Sequence, residues 1–546
     1  MIARRYLMVL VFGAGICTLG IEMTASRLLA PYFGTSQLIW ANVIGLTLLY
    51  LTAGYSLGGR LADRRPQLGT LCTVIAVAGL FSAIIPFLSQ PILRWSLEAF
   101  SSYSVGVFFG SLLGVLALFA VPVTLLGMVS PFAIRLVMRD VADAGKSAGN
   151  LSALSTLGSI LGTFLPVLLL IPAFGTAATI YIFAAGLLLI SLPGLWIERR
   201  RKMALGAAAG ILGVGILAFV PLGTIKQADC GGCELIVEDD SAYNYIQIVR
   251  RATAGQGDMI GLVLNEGQAI HSIYYPRYAE TNNLADLLTS GPWDYYNVAP
   301  YVIANRDPKT VTSLAMIGSA AGSVPKQFLH AYGAEAVVDA VEIDGEIAQL
   351  GREYFAMQDT EYFRQRGEAP KFPNFVTHVA DGRVFLETTA AKYDIIGMDA
   401  YKQPYIPFHL TTREFFRTVR EHLKPGGVAV VNAGSPDGDY RLANVLASTM
   451  RSEFAHVYMI DVPSRFNTML IGVTEEGDGV ANFRANMERM GDPVLRQVME
   501  SALAGGYKLP LREWQPTDET RVFTDDKAPV EWVIDQIILK KVNEGP

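Results

Sequence analysis

Ser313-Leu-Ala-Met-Ile-Gly318-Ser-Ala-Ala-Gly322 decides the fold: a short apolar run enters a turn bounded by two glycines, and a helix is expected after it. The same arrangement recurs downstream. Ala336 to Val341 closes on Glu342-Ile-Asp344, Phe375 to Val379 on Ala380-Asp381-Gly382, and Tyr393 to Met398 on Asp399. A helix, the turn Lys424-Pro-Gly-Gly427 and a further apolar strand from Val428 to Asn432 complete the series. Strands that alternate with helices predict parallel βαβ units. Open sheets of that kind bind ligands beyond the carboxyl ends of their strands.

The glycine turn, Glu342, Asp381 and Asp399 all fall at those ends, so the alternation predicts a Rossmann-type nucleotide-binding domain. Gly318 and Gly322 would let the first turn pass close to a ligand with no Cβ in the way. A carboxylate closing the second strand can accept two hydrogen bonds from ribose hydroxyls, which makes Glu342 the nucleoside anchor. Any one of these acids could instead cap a helix. Four strand-end features in register carry the reading.

Outward from this core, Ala242 to Arg250 and Met259 to Leu264 alternate as strands of a small antiparallel cap. An aromatic segment with Trp293, Tyr295 and Tyr296 leads from the cap into the α/β series. The N-terminal portion differs in kind. The 546-residue chain is 51% hydrophobic and 17% charged, against about 25% charged in ordinary soluble domains, and the deficit is concentrated in the first 223 residues. Seven segments there are apolar for about 20 residues, the length needed to cross a bilayer core. They lie near 6–29, 37–59, 69–92, 104–130, 150–172, 176–197 and 203–222. The domains expected are a transmembrane helical domain over 1–223, a linker and β cap over 224–295, the nucleoside-binding catalytic domain over 296–480, and a C-terminal segment packing on it over 481–546.

Basic residues alternate between the loops. Arg4 and Arg5 precede the first span, Arg60, Arg64 and Arg65 follow the second, Arg135, Arg139 and Lys146 the fourth, and Arg199 to Lys202 the sixth. By the positive-inside rule the N-terminus is cytoplasmic and the chain a multi-pass protein of the cell (inner) membrane. Glu22, an acid within a span, is a functional candidate or a packing partner of Arg27. Gly54 to Arg65 (GYSLGGRLADRR) resembles the loop after the second helix of major-facilitator transporters.

The cap strands, the glycine turn, Val341-Glu-Ile-Asp344, Ala380-Asp-Gly-Arg383, the strand ending in Asp399 and the Lys-Pro-Gly-Gly turn together resemble the spermidine synthase family. They more closely resemble its bacterial branch fused to a membrane domain. Leu264-Asn-Glu-Gly-Gln268, Trp293-Asp-Tyr295 and Asp399-Ala-Tyr-Lys-Gln-Pro-Tyr-Ile-Pro-Phe-His409 add to the likeness, which covers roughly 234–475. The fold implied is an α-helical transmembrane bundle of about seven helices, followed by an α/β Rossmann-like, class I methyltransferase-type domain with a small β cap. The reaction implied is aminopropyl transfer from decarboxylated S-adenosylmethionine to an amine. On this resemblance Glu342 binds the ribose, Asp381 the adenine amino group, and Gly318, Ser319 and Gly322 line the methionine-derived tail. Asp344 and Gly382 complete the nucleoside side, and Asp399 is the catalytic acid that orients and deprotonates the amine. Seven crossings would leave this domain outside, although S-adenosyl nucleotides are made in the cytosol. A helix at 203–222 that does not cross, a miscounted helix and an outward-facing domain would each resolve this.

Two positions depart from the family. Its glycine turn carries an aspartate that recognises the aminopropyl ammonium, where this chain has Ser319-Ala320-Ala321. Its diamine-binding aspartate three residues past the catalytic one is Lys402 here. A lysine beside a diammonium substrate would repel it unless its own charge were suppressed, which argues against putrescine. Gln268, Asp294, Tyr401, Lys402, His409, Asp525 and Asp526 are the candidates for the amine side, with Asp294 or the Asp525-Asp526 pair able to replace the missing charge. Intact S-adenosylmethionine, and hence methyl transfer, stays open. So does a non-catalytic nucleoside- or polyamine-sensing domain that regulates a transporter-like bundle.

No metal is expected, because the histidines are scattered and Cys230-Gly-Gly-Cys233 has no second pair. Those two cysteines read equally as a disulfide or as two thiols. A net charge of -6 gives no support for nucleic acid. The partners expected are a small polyamine-like amine and the lipid bilayer, with a homodimer as a further option.

Overall fold

The computed structural model describes residues 2–33, 37–100, 106–138, 144–219, 232–241, 243–253, 257–265, 269–401, 405–463, 466–505, 509–516 and 521–544. The chain divides into two compact units, one of Met1–Gln227 with Asp240–Tyr245 and one holding most of the remainder.

The first unit is helical. Five segments among its described residues are long and apolar enough to cross a membrane: Arg4–Ala30, Ile39–Arg64, Leu68–Ser96, Phe109–Val137 and Gly145–Ile197. The described count of five differs from the expected seven in two places. The segments 150–172 and 176–197 belong to one 53-residue stretch. Pro166, which has no N–H to give, opens a π-helical turn over Pro166–Leu170, and Gly175 at φ 80° then breaks the helical path. The last expected span lies in the helix Arg201–Phe219 and runs past the described residues. Small residues let the first helix and the helix Ala144–Leu165 touch at backbone distance. A Cβ on Gly158 would stand 2.3 Å from the Phe12 carbonyl oxygen, and one on Gly162 2.1 Å from that of Ile16, the close approach that membrane helices use. Arg27 does not pair with Glu22. Its guanidinium binds the Asp240 carboxylate and the Ser241 carbonyl.

The second unit holds two sheets. The cap has strands β1 (Glu234–Asp240), β2 (Tyr245–Thr253), β3 (Gly257–Leu264) and β4 (Ile270–Tyr274), in that order. The large sheet contains β5 (Ser313–Ile317), β6 (Val337–Glu342), β7 (Phe375–Val379), β8 (Tyr393–Met398), β9 (Leu423–Gly434), β10 (His456–Asp461), β11 (Asn467–Val473) and β12 (Arg512–Glu513). Its order is β12-β10-β11-β9-β8-β5-β6-β7. The strands β5 to β9 pair in parallel, whereas β11 runs antiparallel to β9. Every residue of β5 and β8 is buried, as a parallel sheet covered on both faces requires. This is an α/β Rossmann-like domain of the class I methyltransferase type.

The chain leaves β5 towards β6 and β7 and returns on the other side to β8 and β9, so a crevice opens at the carboxyl ends of β5 and β8. The Lys424 to Gly427 turn proves to lie inside β9. Leu423 already pairs with Tyr393, and the ladder resumes at Val428 opposite Ile395, so the turn bulges out of a continuous strand.

Candidate active site

The glycine turn after β5 is held by the Val341 carbonyl, which accepts from the amides of Gly318 (2.9 Å) and Ser319 (3.1 Å). Gly318 sits at φ 77°, and a Cβ there would lie 2.6 Å from the backbone of Asp399 and Ala400. The expectation that Gly318 and Gly322 make room for a ligand is therefore corrected. The space at Gly318 is taken by the Asp399 peptide, and a Cβ on Gly322 would meet the Met357 sulfur at 2.8 Å. One on Gly382 would meet Ile317 at 2.1 Å. These glycines bring protein against protein, and Gly318 fixes where Asp399 stands. Ser319 is buried, and its hydroxyl has no partner among the described residues. That orphaned hydroxyl suits a ligand atom in the turn.

Glu342, the last residue of β6, is 7% exposed. Its two carboxylate oxygens accept from the amides of Ala320 (2.9 Å) and Asp344 (3.1 Å). Burial pushes its carboxyl up to about 7 against the pull of those amides. Asp344 accepts from the Glu346 amide and caps the helix Gly345–Tyr354. Asp381 caps the helix Gly382–Thr388 through the amides of Arg383 (2.9 Å) and Val384 (3.1 Å), and its other oxygen meets His409 Nε2 at 2.8 Å. Burial alone would raise Asp381, but His409 and the two amides outweigh it and hold the carboxyl below the usual carboxylate range. His409 thus stands with Asp381 and does not line the cavity beside Asp399.

Asp399 follows β8, and its amide donates to the Ile317 carbonyl at 2.8 Å. Among the described residues each carboxylate oxygen has one donor: the Trp293 indole N–H on Oδ2 and the Asn432 amide on Oδ1, both at 2.9 Å. Asn432 is in turn fixed by Asn467 Nδ2, which donates to its Oδ1 at 2.9 Å. The Tyr401 hydroxyl donates to the Asn432 carbonyl (2.9 Å) and accepts from the Gly434 amide (3.1 Å). Burial pushes the Asp399 carboxyl up to about 6, with Asn432 and Trp293 opposing. The carboxylate lines a cavity of about 540 Å3 together with His271, Trp293, Tyr401, Asn432 and Phe466.

Three amine-side candidates are elsewhere. Asp294 is 5% exposed and turned inward, accepting from the Thr289 amide and hydroxyl and from Gln327 Nε2. Its carboxylate locks the loop before Trp293 and does not line the cavity. Asp525 is consumed by a two-pronged pair with Arg383, both contacts 2.7 Å, and by the Thr412 hydroxyl. Asp526 is exposed to solvent and does not line the cavity. Gln268 and Lys402 lie outside the described residues. Cys233 is disulfide-bonded, and Cys230 lies outside the described residues.

Trp293, Asn432, Asn467 and His271 were missed as site residues. Asn432 closes an expected strand just as Glu342 and Asp399 do, so the positional signal was present. Asn467 and His271 reach the site only through the antiparallel strands β11 and β4, whose pairing leaves no local mark.

Residues 314–484 match the spermine/spermidine synthase domain. Over 327 residues the chain is 30% identical to a probable polyamine aminopropyl transferase of Bifidobacterium longum, covering 56% of this chain and 64% of that one. Over 161 residues it is 32% identical to a polyamine aminopropyltransferase of Vibrio vulnificus, covering 29% and 48% respectively. The chain thus spans less than two thirds of either relative. A probable spermidine synthase from Corynebacterium glutamicum, solved by crystallography, superposes over 56% of this chain and 93% of its own at 21% identity and a TM-score of 0.38.

Proposed function

Taking residues 314–484 as a spermine/spermidine synthase domain, we propose that the protein is a membrane-anchored aminopropyltransferase that uses decarboxylated S-adenosylmethionine. The observation that carries this is Asp399, a carboxylate held by two donors on the wall of a cavity, with its carboxyl pushed up to about 6. Such a base is ionised at neutral pH yet basic enough to take a proton. The donor's nucleoside is bound beside Glu342, Ser319 and the Asp381–His409 pair. The neutral acceptor nitrogen attacks the aminopropyl carbon next to the sulfonium. The C–N bond forms as the C–S bond breaks, and its electron pair stays on sulfur, so methylthioadenosine leaves uncharged. Asp399 takes the proton that the new secondary ammonium sheds and passes it to water. Positioning by Trp293 and Asn432 supplies the in-line geometry.

The five apolar helices support anchoring in a lipid bilayer, and the loop arginines support a cytoplasmic N-terminus in the cell membrane. A methyltransferase is the second reading, favoured by a turn, Ser319-Ala320-Ala321, that holds no acid to repel a carboxylated tail.

Calorimetric titration with decarboxylated and intact S-adenosylmethionine, alongside Glu342→Ala, separates them. Preference for the decarboxylated donor, lost in the variant, supports the proposal, and product mass should rise by one aminopropyl group. Preference for the intact donor with a gain of one methyl overturns it. Binding without turnover, indifferent to Asp399→Asn, leaves a sensing domain.

A further inference from the structure

The helical unit carries chemistry that the transferase reading does not use. Glu22 lies in the helix Ile2–Phe33 and is 8% exposed. Arg27, further along that helix, is engaged by Asp240 and Ser241. Glu22 itself has no hydrogen-bond or ion-pair partner among the described residues. A carboxyl left unpaired at bilayer depth is costly, and such groups mark sites.

The same unit holds a cavity of about 420 Å3, lined from that helix and from the helices Gln37–Arg64, Val129–Val137 and Ala144–Leu165. Each of the four presents hydroxyls to it: Thr18, Tyr55, Ser130, and the group Ser152, Ser155 and Thr156. Thr18 donates to the Ala14 carbonyl at 2.7 Å, and Thr156 to the Ser152 carbonyl at 3.0 Å. A hydroxyl has one proton and two lone pairs, so a further partner meets these two as acceptors. Val11, Gly15 and Thr18 line the cavity, and Glu22 follows them by eleven, seven and four residues, each close to a whole number of helical turns. Glu22 therefore continues the cavity's stripe of the helix, one turn beyond Thr18.

Acceptor hydroxyls that lead to an unpaired carboxylate are matched by a cation with hydrogens to donate. A bare metal ion would need its oxygens drawn in to about 2.0–2.6 Å, whereas this volume leaves room for an organic body. We propose that the helical unit holds an organic-ammonium site of its own. A primary ammonium pairs with Glu22 and the hydroxyls, and its short carbon body lies in the cavity beside Leu51 and Leu126. The bundle is then a binding unit as well as an anchor. From the reading above this needs only that the bundle lies in a bilayer, and it holds whether or not the second unit transfers aminopropyl groups.

The test puts a thiol in the cavity wall with Ser155→Cys. The full-length protein in detergent is reacted with aminoethyl methanethiosulfonate, a primary ammonium, and with neutral ethyl methanethiosulfonate. Intact mass reads the rates, and the parent protein gives the background from its own cysteines. Adding Glu22→Gln should lower the cationic-to-neutral rate ratio roughly tenfold, as loss of one buried counter-charge requires, while Glu22→Asp should keep most of it. The ratio cancels intrinsic reactivity and partition into micelles. Propylammonium chloride should slow the labelling severalfold, and sodium chloride at the same ionic strength should not. A ratio untouched by Glu22→Gln, or equal protection by sodium, overturns the inference. Thermal midpoints check folding, and if Glu22→Gln does not fold, the two salts on Ser155→Cys alone decide. Retention in vesicles through a carbonate wash reads embedding by itself, so failure there strikes the anchoring and not this site.

Discussion

The indole N–H of Trp293 and the carboxylate of Asp399 meet at 2.9 Å across 106 residues of sequence. A donor aimed at a carboxylate favours its charged form, so this contact restrains a carboxyl that burial drives upward.

Replacing Trp293 with Phe removes that donor and keeps most of the ring. The Asp399 carboxyl should then titrate still higher than about 6. Transfer needs the ionised form, so in the parent protein kcat/KM should rise with pH through about 6. In the variant this acid limb should move up by about one pH unit, the worth of a hydrogen bond to a charged group. An unmoved limb would mean that another group sets the profile.

Asp399→Asn should lower kcat on the order of 10²- to 10⁴-fold, the usual contribution of a positioned general base. Nucleoside affinity should change little, because Glu342 and Asp381 do not touch Asp399. Calorimetry and initial rates on one preparation give both numbers, and a parallel loss of nucleoside binding would contradict this division of labour.

Gly318→Ala should be costly in two ways. Its φ of 77° disfavours any side chain, and the new Cβ would stand 2.6 Å from the Asp399 backbone. Strain of this kind costs about 1–3 kcal/mol, read as a lower thermal midpoint. The displaced Asp399 should also reduce kcat more than KM. Gly333, also at positive φ but with open space where its Cβ would go, supplies the control: Gly333→Ala should lose stability and keep kcat.

Asp525→Asn tests the reassignment of that residue. Its carboxylate holds Arg383 at the surface, with 44% of its side chain exposed, so the stability loss should stay below about 1 kcal/mol. The KM for the amine should not change. A large rise in KM would return Asp525 to the substrate.

How far the sequence is readable follows from what each residue answers to. Strands β5 and β8 begin and end where the apolar runs do, because a strand buried on both faces needs an unbroken run and stops at Gly318 or Asp399. Glu342 and Asp399 could be picked out by position alone. Asp294 misled because it adjoins Trp293. Successive residues of a helical turn point about 100° apart, so Trp293 meets Asp399 while Asp294 meets Thr289 and Gln327. Asp525 misled because its partner, Arg383, is 142 residues away. Gly318 was rightly singled out for a close approach, but the chain it approaches is its own.

The reversed direction of β11 has an evolutionary consequence. In a parallel strand the site is met at the exit, and the loop there is tied to the next helix. β11 meets it at the entrance, where Asn467 steadies Asn432 and Phe466 borders the cavity. The entrance of β11, at Phe466 and Asn467, is therefore at once the tip of a strand and a wall of the cavity. Substitutions at that entrance would reshape the cavity while every pairing among β5 to β9 stayed in register. The shape of the cavity can thus drift through that one strand entrance, with the carboxyl ends of β5, β6 and β8 left intact.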